Sequence, residues 1–297
     1  MSKPVFVGAA VAIVTPFYED GGINFEELKK LIEFEIAEGI DSIVICGSTG
    51  EAATMTEQEH IDAIKFAVDT VAGRVPVIAG TGSNDTAFGV ELTKKAYELG
   101  ADAALLVTPY YNKATQKGLV QMFSEIADKS TAPVILYNVP SRTGCNLLPS
   151  SCAILADHPN IVGVKEASGN ISQIAEIAAL TRDKDFVIYS GNDDQIIPIF
   201  SLGGMGVISV LSNILPRKTV QMCDKYFSGD VKGACDMQLD MLPLINSLFS
   251  EVNPIPARSA VAALGFGENY LRLPLTPMEP EHEAVMFECM RQQGLDV

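Results

Sequence analysis

Short, almost wholly apolar runs alternate along this chain with longer segments in which apolar positions recur every three or four residues. The runs fall at 7–14, 42–46, 76–79, 103–107, 134–137, 161–165, 186–190 and 206–210. Their length and β-branched content predict strands, and their spacing of roughly 20–35 residues fits one βαβ unit each. The intervening segments carry helix-start signals. Asn24 precedes FEELKKLIEFEIAEG, which closes on Gly39, and Thr56 with Glu59 forms a capping box ahead of a helix over 61–71. Helices are also predicted over 86–99, 117–127, 171–180 and 217–227. The strands are apolar throughout rather than alternating, as in a parallel sheet covered on both faces. Eight βα units in one chain of this length define a (β/α)8 TIM barrel. After the eighth strand only helix patterns follow, at 230–249, 257–264 and 279–291. The organisation expected is therefore a barrel over 1–227 and a C-terminal helical domain over 228–297.

Composition narrows the classes of partner. Of the 297 residues, 47% are hydrophobic and 20% charged, enough for a large core. No apolar run approaches the ~18 residues that span a bilayer, so no membrane partner is expected. The opening MSKPVFVGAAVAIVTPF reads as a first strand rather than a signal peptide. Six cysteines lie scattered without a CxxC pair, the usage of reduced thiols in a cytoplasmic protein. A net charge of −16 disfavours nucleic acid and anionic membrane surfaces. An anionic substrate would need local cations to enter such a molecule.

In a barrel of this kind the reacting groups stand at the carboxyl ends of the strands. Here those ends read GSTGE after the second, TPYYN after the fourth, YNVPSRTG from the fifth and SGN at the seventh. The sixth, IVGVK, ends in Lys165. A strand-end lysine is either the first solvated residue or a desolvated amine able to attack a carbonyl. Strand alternation places Ile161, Gly163 and Lys165 on one face and Val162 and Val164 on the other. With the valines under helices, Lys165 would face the barrel mouth above the space left by Gly163. Schiff-base chemistry there would need proton transfer, for which Tyr137, Thr49 and Tyr111 are candidates, although Tyr137 equally suits a packing role. The Ser48-Thr49-Gly50 turn suits a carboxylate or is an ordinary loop. Arg142 is a second carboxylate site or a solvated charge. The three histidines have no metal-ligand spacing. Gly80-Thr-Gly82 lacks the third glycine of a dinucleotide loop, and Gly203-Gly-Met-Gly206 precedes a strand.

The stretches GSTGE (47–51), TPYYN (108–112), YNVPSRTG (137–144), GVKEASG (163–169) and GVISV (206–210) resemble, in order and over nearly the whole chain, the pyruvate-dependent class I aldolase and N-acetylneuraminate lyase family. The resemblance implies a lyase that needs no cofactor, forming a covalent Schiff base between pyruvate and Lys165. It implies that Tyr137 is the general acid/base, with Thr49 and Tyr111 completing a proton relay and Tyr111 reaching the neighbouring subunit's site. Ser48 and Thr49 would hold the pyruvate carboxylate, and Gly191 and the Ile208 carbonyl would line the pocket. Arg142 would receive the carboxylate of L-aspartate 4-semialdehyde. The activity implied is condensation of these two small molecules for lysine and diaminopimelate biosynthesis, by a homotetramer of two tight dimers. Ser48 departs mildly from the threonine common at its position. Two alternatives stand beside this reading: an N-acetylneuraminate or 2-keto-3-deoxy-sugar acid lyase, and a non-catalytic oligomeric binding protein. The arginine in SRTG suits a short charged aldehyde better than a polyol. Family members inhibited by L-lysine bind it beside the tyrosine pair. Tyr110, Asn84 and His60 match that pattern, but Glu57 replaces a histidine and Phe88 a glutamate, so weak or absent inhibition is expected.

Overall fold

The computed structural model describes residues 4–297, and in it eight parallel strands close into a barrel in chain order. They are β1 Gly8–Ala12, β2 Ser42–Ile45, β3 Val77–Gly80, β4 Ala103–Val107, β5 Val134–Asn138, β6 Ile161–Glu166, β7 Val187–Ser190 and β8 Gly206–Ser209. Residues 1–3 of the expected barrel range lie outside the described residues. β8 is one residue shorter than predicted because Val210 already enters the 3-10 turn Leu211–Asn213.

The predicted helix starts follow their chemistry. The Asn24 side chain accepts the Glu27 amide at 3.1 Å and opens helix Phe25–Ala37. Thr56 and Glu59 form the reciprocal capping box, so that helix begins at Glu57 rather than Ile61 and runs to Val71. Three short helices went unpredicted: Pro140–Thr143, Pro149–Leu155 and Ile196–Ser201. None is long enough to show a 3.6-residue period.

Side-chain alternation sorts each strand between the barrel interior and the layer under the helices. In β5, Ile135 and Tyr137 point inward to a cluster with Ala10, Val44, Ile78, Leu105, Tyr189 and Ile208. Val134 and Leu136 pack outward with Phe123 and Ile174. β6 departs from the predicted alternation. Val134 pairs with Ile161 but Ile135 pairs with Gly163, so Val162 is an extra, bulged residue. The bulge turns Ile161 outward, against Leu155 and Ile177, and sets Val162 against the interior cluster. Beyond it the expected pattern resumes, with Val164 outward. Gly163 serves its neighbour strand rather than making room under the lysine, since a Cβ there would lie 2.5 Å from the Val187 carbonyl oxygen.

After the barrel come helices Val231–Ser247, Ile255–Ala263 and Pro280–Gln292. Their Met241, Leu244, Ile245, Met286 and Met290 join the same buried cluster as Val11 and Ile43 of β1 and β2. The extension and the barrel thus share one apolar core. Arg272 fastens it further: its guanidinium lies 4.5 Å from the Phe17 ring centre, donates to the Gly21 and Thr54 carbonyls and pairs with Glu59. The Arg272 amide donates to Glu51 at 3.2 Å, tying the extension to the loop after β2.

Candidate active site

A cleft of about 490 Å³ opens at the carboxyl ends of the strands, lined among others by Ser48, Tyr137, Arg142 and Asn253. Tyr137 and Lys165 reach the barrel mouth together because β5 and β6 pair them in register. Lys165 is 6% exposed, and its Nζ lies 4.4 Å from the centre of the Tyr137 ring. Burial pulls the lysine pKa down to about 7; Asp193 opposes that shift and Arg142 adds to it. Of the two sequence readings, the desolvated amine is the one the fold produces.

Tyr137 is also buried, which pushes its phenol pKa up, while Arg142 and a hydrogen bond with the Ser48 side chain pull it back. Thr49 has a partner of its own. Its Oγ1 accepts from Asn253 Nδ2 at 2.9 Å. The loop carrying both closes through Gly50 N to Gly47 O at 3.1 Å and Glu51 N to Ser48 O at 3.2 Å. Neither bond uses the Ser48 or Thr49 amide.

Arg142 rides on the turn Pro140–Thr143 and donates from Nη2 to the Asn253 carbonyl at 2.8 Å. Asn253 was missed by sequence reasoning. It sits in an irregular stretch between two helices of the extension, and no residue pattern there marks it as reaching across to the barrel. Gly191 follows β7 and donates its amide to the Glu166 carbonyl at 2.8 Å. A Cβ on Gly191 would stand 2.7 Å from Ala167 Cβ and 3.1 Å from Lys165 Cε, so only glycine leaves the lysine room. Ile208 is buried in the same interior cluster as Tyr137 and Ala167. Asp193 was also missed; its place after β7 was visible, but not its hydrogen bonds to the Val210 and Leu211 amides at the end of β8.

Tyr111 is the one candidate that this chain does not bring to its own site. It is 95% exposed on the loop after β4, in a left-handed conformation with φ of 64°. Among the described residues no three His, Cys, Asp or Glu side chains are grouped as a metal ion would require. None of the described helices is long and apolar enough to cross a membrane.

A buried amine beside a buried phenol, with a serine hydroxyl and a guanidinium acting on the phenol, stands at the mouth of a (β/α)8 barrel. The chain belongs to the Dihydrodipicolinate synthetase family, which it matches over residues 5–293. It is 56% identical over 292 residues to the 4-hydroxy-tetrahydrodipicolinate synthase of Lachnoclostridium phytofermentans, a match that covers 98% of this chain and 99% of that protein. Among solved structures, a monomeric dihydrodipicolinate synthase variant superposes with a TM-score of 0.96 at 40% identity, covering 98% of each chain. The enzyme from Cyanidioschyzon merolae, solved with lysine bound, gives 0.94 at 38% identity over 98% of this chain and 99% of that one.

Proposed function

We propose that this protein condenses pyruvate with L-aspartate 4-semialdehyde to 4-hydroxy-tetrahydrodipicolinate through a Schiff base on Lys165, with no further cofactor. The observation that carries the reading is the register pairing of Lys165 with Tyr137, both buried at the barrel mouth. Near neutrality a large share of the lysine is the free amine, which attacks pyruvate C2. The C2–O bond then breaks, and the oxygen leaves as water with protons delivered through Tyr137. A pKa above that of free tyrosine keeps the phenol protonated and ready to donate. Ser48, hydrogen-bonded to Tyr137, is the next carrier in our reading, and Tyr111 of a neighbouring subunit is the exit toward solvent. Loss of a methyl proton gives the enamine, which attacks the aldehyde carbon of the second substrate. The substrate's own amine then closes the ring and releases Lys165. Thr49, held by Asn253, and the free amides of the 47–51 loop take the pyruvate carboxylate. Gly191 and Ile208 complete the wall.

A shared site requires at least a dimer, and a tetramer of two such dimers is the assembly we favour. We place the protein in the cytoplasm, in keeping with its six free cysteines. The deciding assay compares condensation of pyruvate and aspartate semialdehyde with cleavage of N-acetylneuraminate. Turnover of the sugar acid but not of the aldehyde would replace this reading with the sugar-lyase one.

Arg142 stands at the cleft edge and supplies the cation an anionic aldehyde needs in a protein of net charge −16. Arg142→Ala is expected to raise KM for aspartate semialdehyde tenfold or more, the equivalent of ~1.5–3 kcal/mol for a charged hydrogen bond, with a much smaller change for pyruvate. Equal changes for both substrates in steady-state kinetics would remove Arg142 from the aldehyde site.

The far part of the same cleft is lined by Glu57, His60, Phe88 and Tyr110. His60 is buried and donates from Nε2 to the Gly80 carbonyl at 2.7 Å, and burial lowers its pKa, so the ring stays neutral. Phe88 puts an apolar ring where an ammonium would need an anion. L-Lysine is expected to inhibit only weakly, with half-inhibition above the millimolar range. A titration showing sub-millimolar inhibition would mean that Glu57 supplies the missing carboxylate.

A further inference from the structure

Tyr137 and Lys165 are each followed by a polar residue that is wholly buried. Asn138 ends β5 and Glu166 ends β6, and the strands pair these two in register just as they pair Tyr137 with Lys165. Side-chain alternation separates the two pairs. Leu136 and Val164, two residues earlier, pack outward under the helices, so Asn138 and Glu166 continue that outer row behind the reacting pair. A parallel barrel fills this layer with apolar side chains, and burying an amide and a carboxyl there is costly unless their hydrogen bonds are made.

The bonds are made, and they run between the strands. The Leu147 amide can only donate, and it lies 2.9 Å from Asn138 Oδ1, which turns Asn138 Nδ2 toward Glu166. Nδ2 is 3.2 Å from Glu166 Oε1 and 3.1 Å from Oε2, so one N–H is shared between the two carboxyl oxygens. Its other N–H reaches Asn146 Oδ1 at 2.9 Å. Glu166 Oε1 also accepts the Ser168 amide at 2.8 Å, which holds the carboxyl against the chain leaving β6. The Leu147 bond closes the loop 139–146, the loop that bears Arg142, onto the strand end that bears Tyr137. Asn146 is locked in its turn by Gln173, donating to its Oε1 at 2.8 Å and accepting from its Nε2 at 3.2 Å.

We propose that Asn138 and Glu166 are positioning residues of the reaction, a buried clamp that sets how Lys165 and Tyr137 stand to each other. The inference rests on the Schiff-base reading of Lys165. Its physical basis is the place where the strands part. The last backbone bond between the two segments runs from the Ala167 amide to the Asn138 carbonyl at 2.9 Å, and beyond it one chain enters the turn Pro140–Thr143 and the other the loop before helix Ile171–Thr181. A strand end is free to splay unless something else ties it. Here the tie is made by the side chains next in sequence to the reacting ones, so a change in the Asn138–Glu166 bond is carried one residue back into the site. Displacements of about 1 Å of this kind can cost a hundredfold in rate.

The test uses the full chain with Glu166→Gln, with Asn138→Asp, and with both together. Glu166→Gln keeps an acceptor for the Ser168 amide but turns one oxygen into a donor facing Asn138 Nδ2. Asn138→Asp keeps the acceptor for the Leu147 amide but sets two carboxyl groups against each other. Combined, the substitutions restore the pair with donor and acceptor exchanged. Exhaustive trapping with pyruvate and cyanoborohydride counts the sites able to react, and kcat is expressed per labelled site, so that lost folded protein does not enter. Each single variant is expected to lose roughly tenfold or more in kcat per site, with KM for pyruvate within about threefold of wild type, and the combined variant to be faster than either. A purely structural network would lower the number of labelled sites and the midpoint of thermal unfolding while kcat per site stayed at the wild-type value. That result in Glu166→Gln overturns the proposal, and so does a combined variant no faster than the faster single one. Should one single variant fail to fold, kcat per site of the other decides. Wild-type protein that turns over without label on Lys165 takes down the Schiff-base reading and the clamp with it, whereas labelled wild type beside variants of unchanged kcat removes the clamp alone.

Discussion

Replacement of Lys165 by alanine is expected to lower turnover by a factor on the order of a thousand or more, because the covalent step we propose uses its amine. The loss should be in kcat, with the folded state little changed, since removing a buried amine relieves its desolvation. The complementary experiment is direct. Pyruvate and a hydride donor should add a stable pyruvyl mass to the tryptic peptide that holds Lys165, and to no other. The sign of its pH dependence follows from burial. With the amine pKa near 7, about half is neutral at pH 7 and about one part in a hundred at pH 5, so the rate of Schiff-base formation should rise steeply between these values and level off above pH 8. An ordinary lysine would still be rising at pH 9. Label on another lysine, or full activity without label, contradicts the assignment.

The second large effect concerns Tyr111. One chain carries this residue on an exposed loop, yet the proton path we propose ends on a tyrosine at that position. Tyr111→Phe is expected to cost roughly a hundredfold or more, the usual contribution of a positioned proton carrier. Lys165→Ala and Tyr111→Phe proteins, each nearly inactive, should regain activity when mixed under conditions of subunit exchange. In a hybrid dimer one site draws its lysine and its tyrosine from the two unmutated sources and is whole. The recovered fraction approaches a quarter of wild-type activity per site at equal mixing. Native mass spectrometry can establish that exchange took place. Exchange without recovery would show that each chain builds its site alone.

The barrel was legible in the sequence because a parallel sheet under helices leaves a repeated signature, and all eight strands lie within two residues of the apolar runs that predicted them. The lysine and tyrosine were legible for the same reason: strand ends in a barrel converge, so residue identity and strand order already imply proximity. What the pattern could not give was anything set by irregular backbone. The bulge at Val162, which reverses Ile161, is one added residue in an apolar run and leaves no mark in the periodicity. How a tight turn points the adjacent hydroxyls of Ser48 and Thr49 is likewise unreadable from the sequence; in the structure Thr49 meets Asn253. Asn253 and Asp193 lie in loops whose direction is fixed by contacts far away in the chain.

Asn253 has a consequence for how such enzymes diverge. Its side chain holds Thr49, which we propose binds pyruvate, and its backbone carbonyl holds Arg142, which we propose binds the aldehyde. On that reading the two halves of substrate recognition are hinged on one residue of the tail. Drift in the tail, through an insertion before Pro254 or a repacked helix, would alter both at once while every reacting group stayed unchanged. The tail is thus a lever on selectivity, and a barrel transplanted without its own tail would carry the right chemistry with its two substrate grips uncoupled.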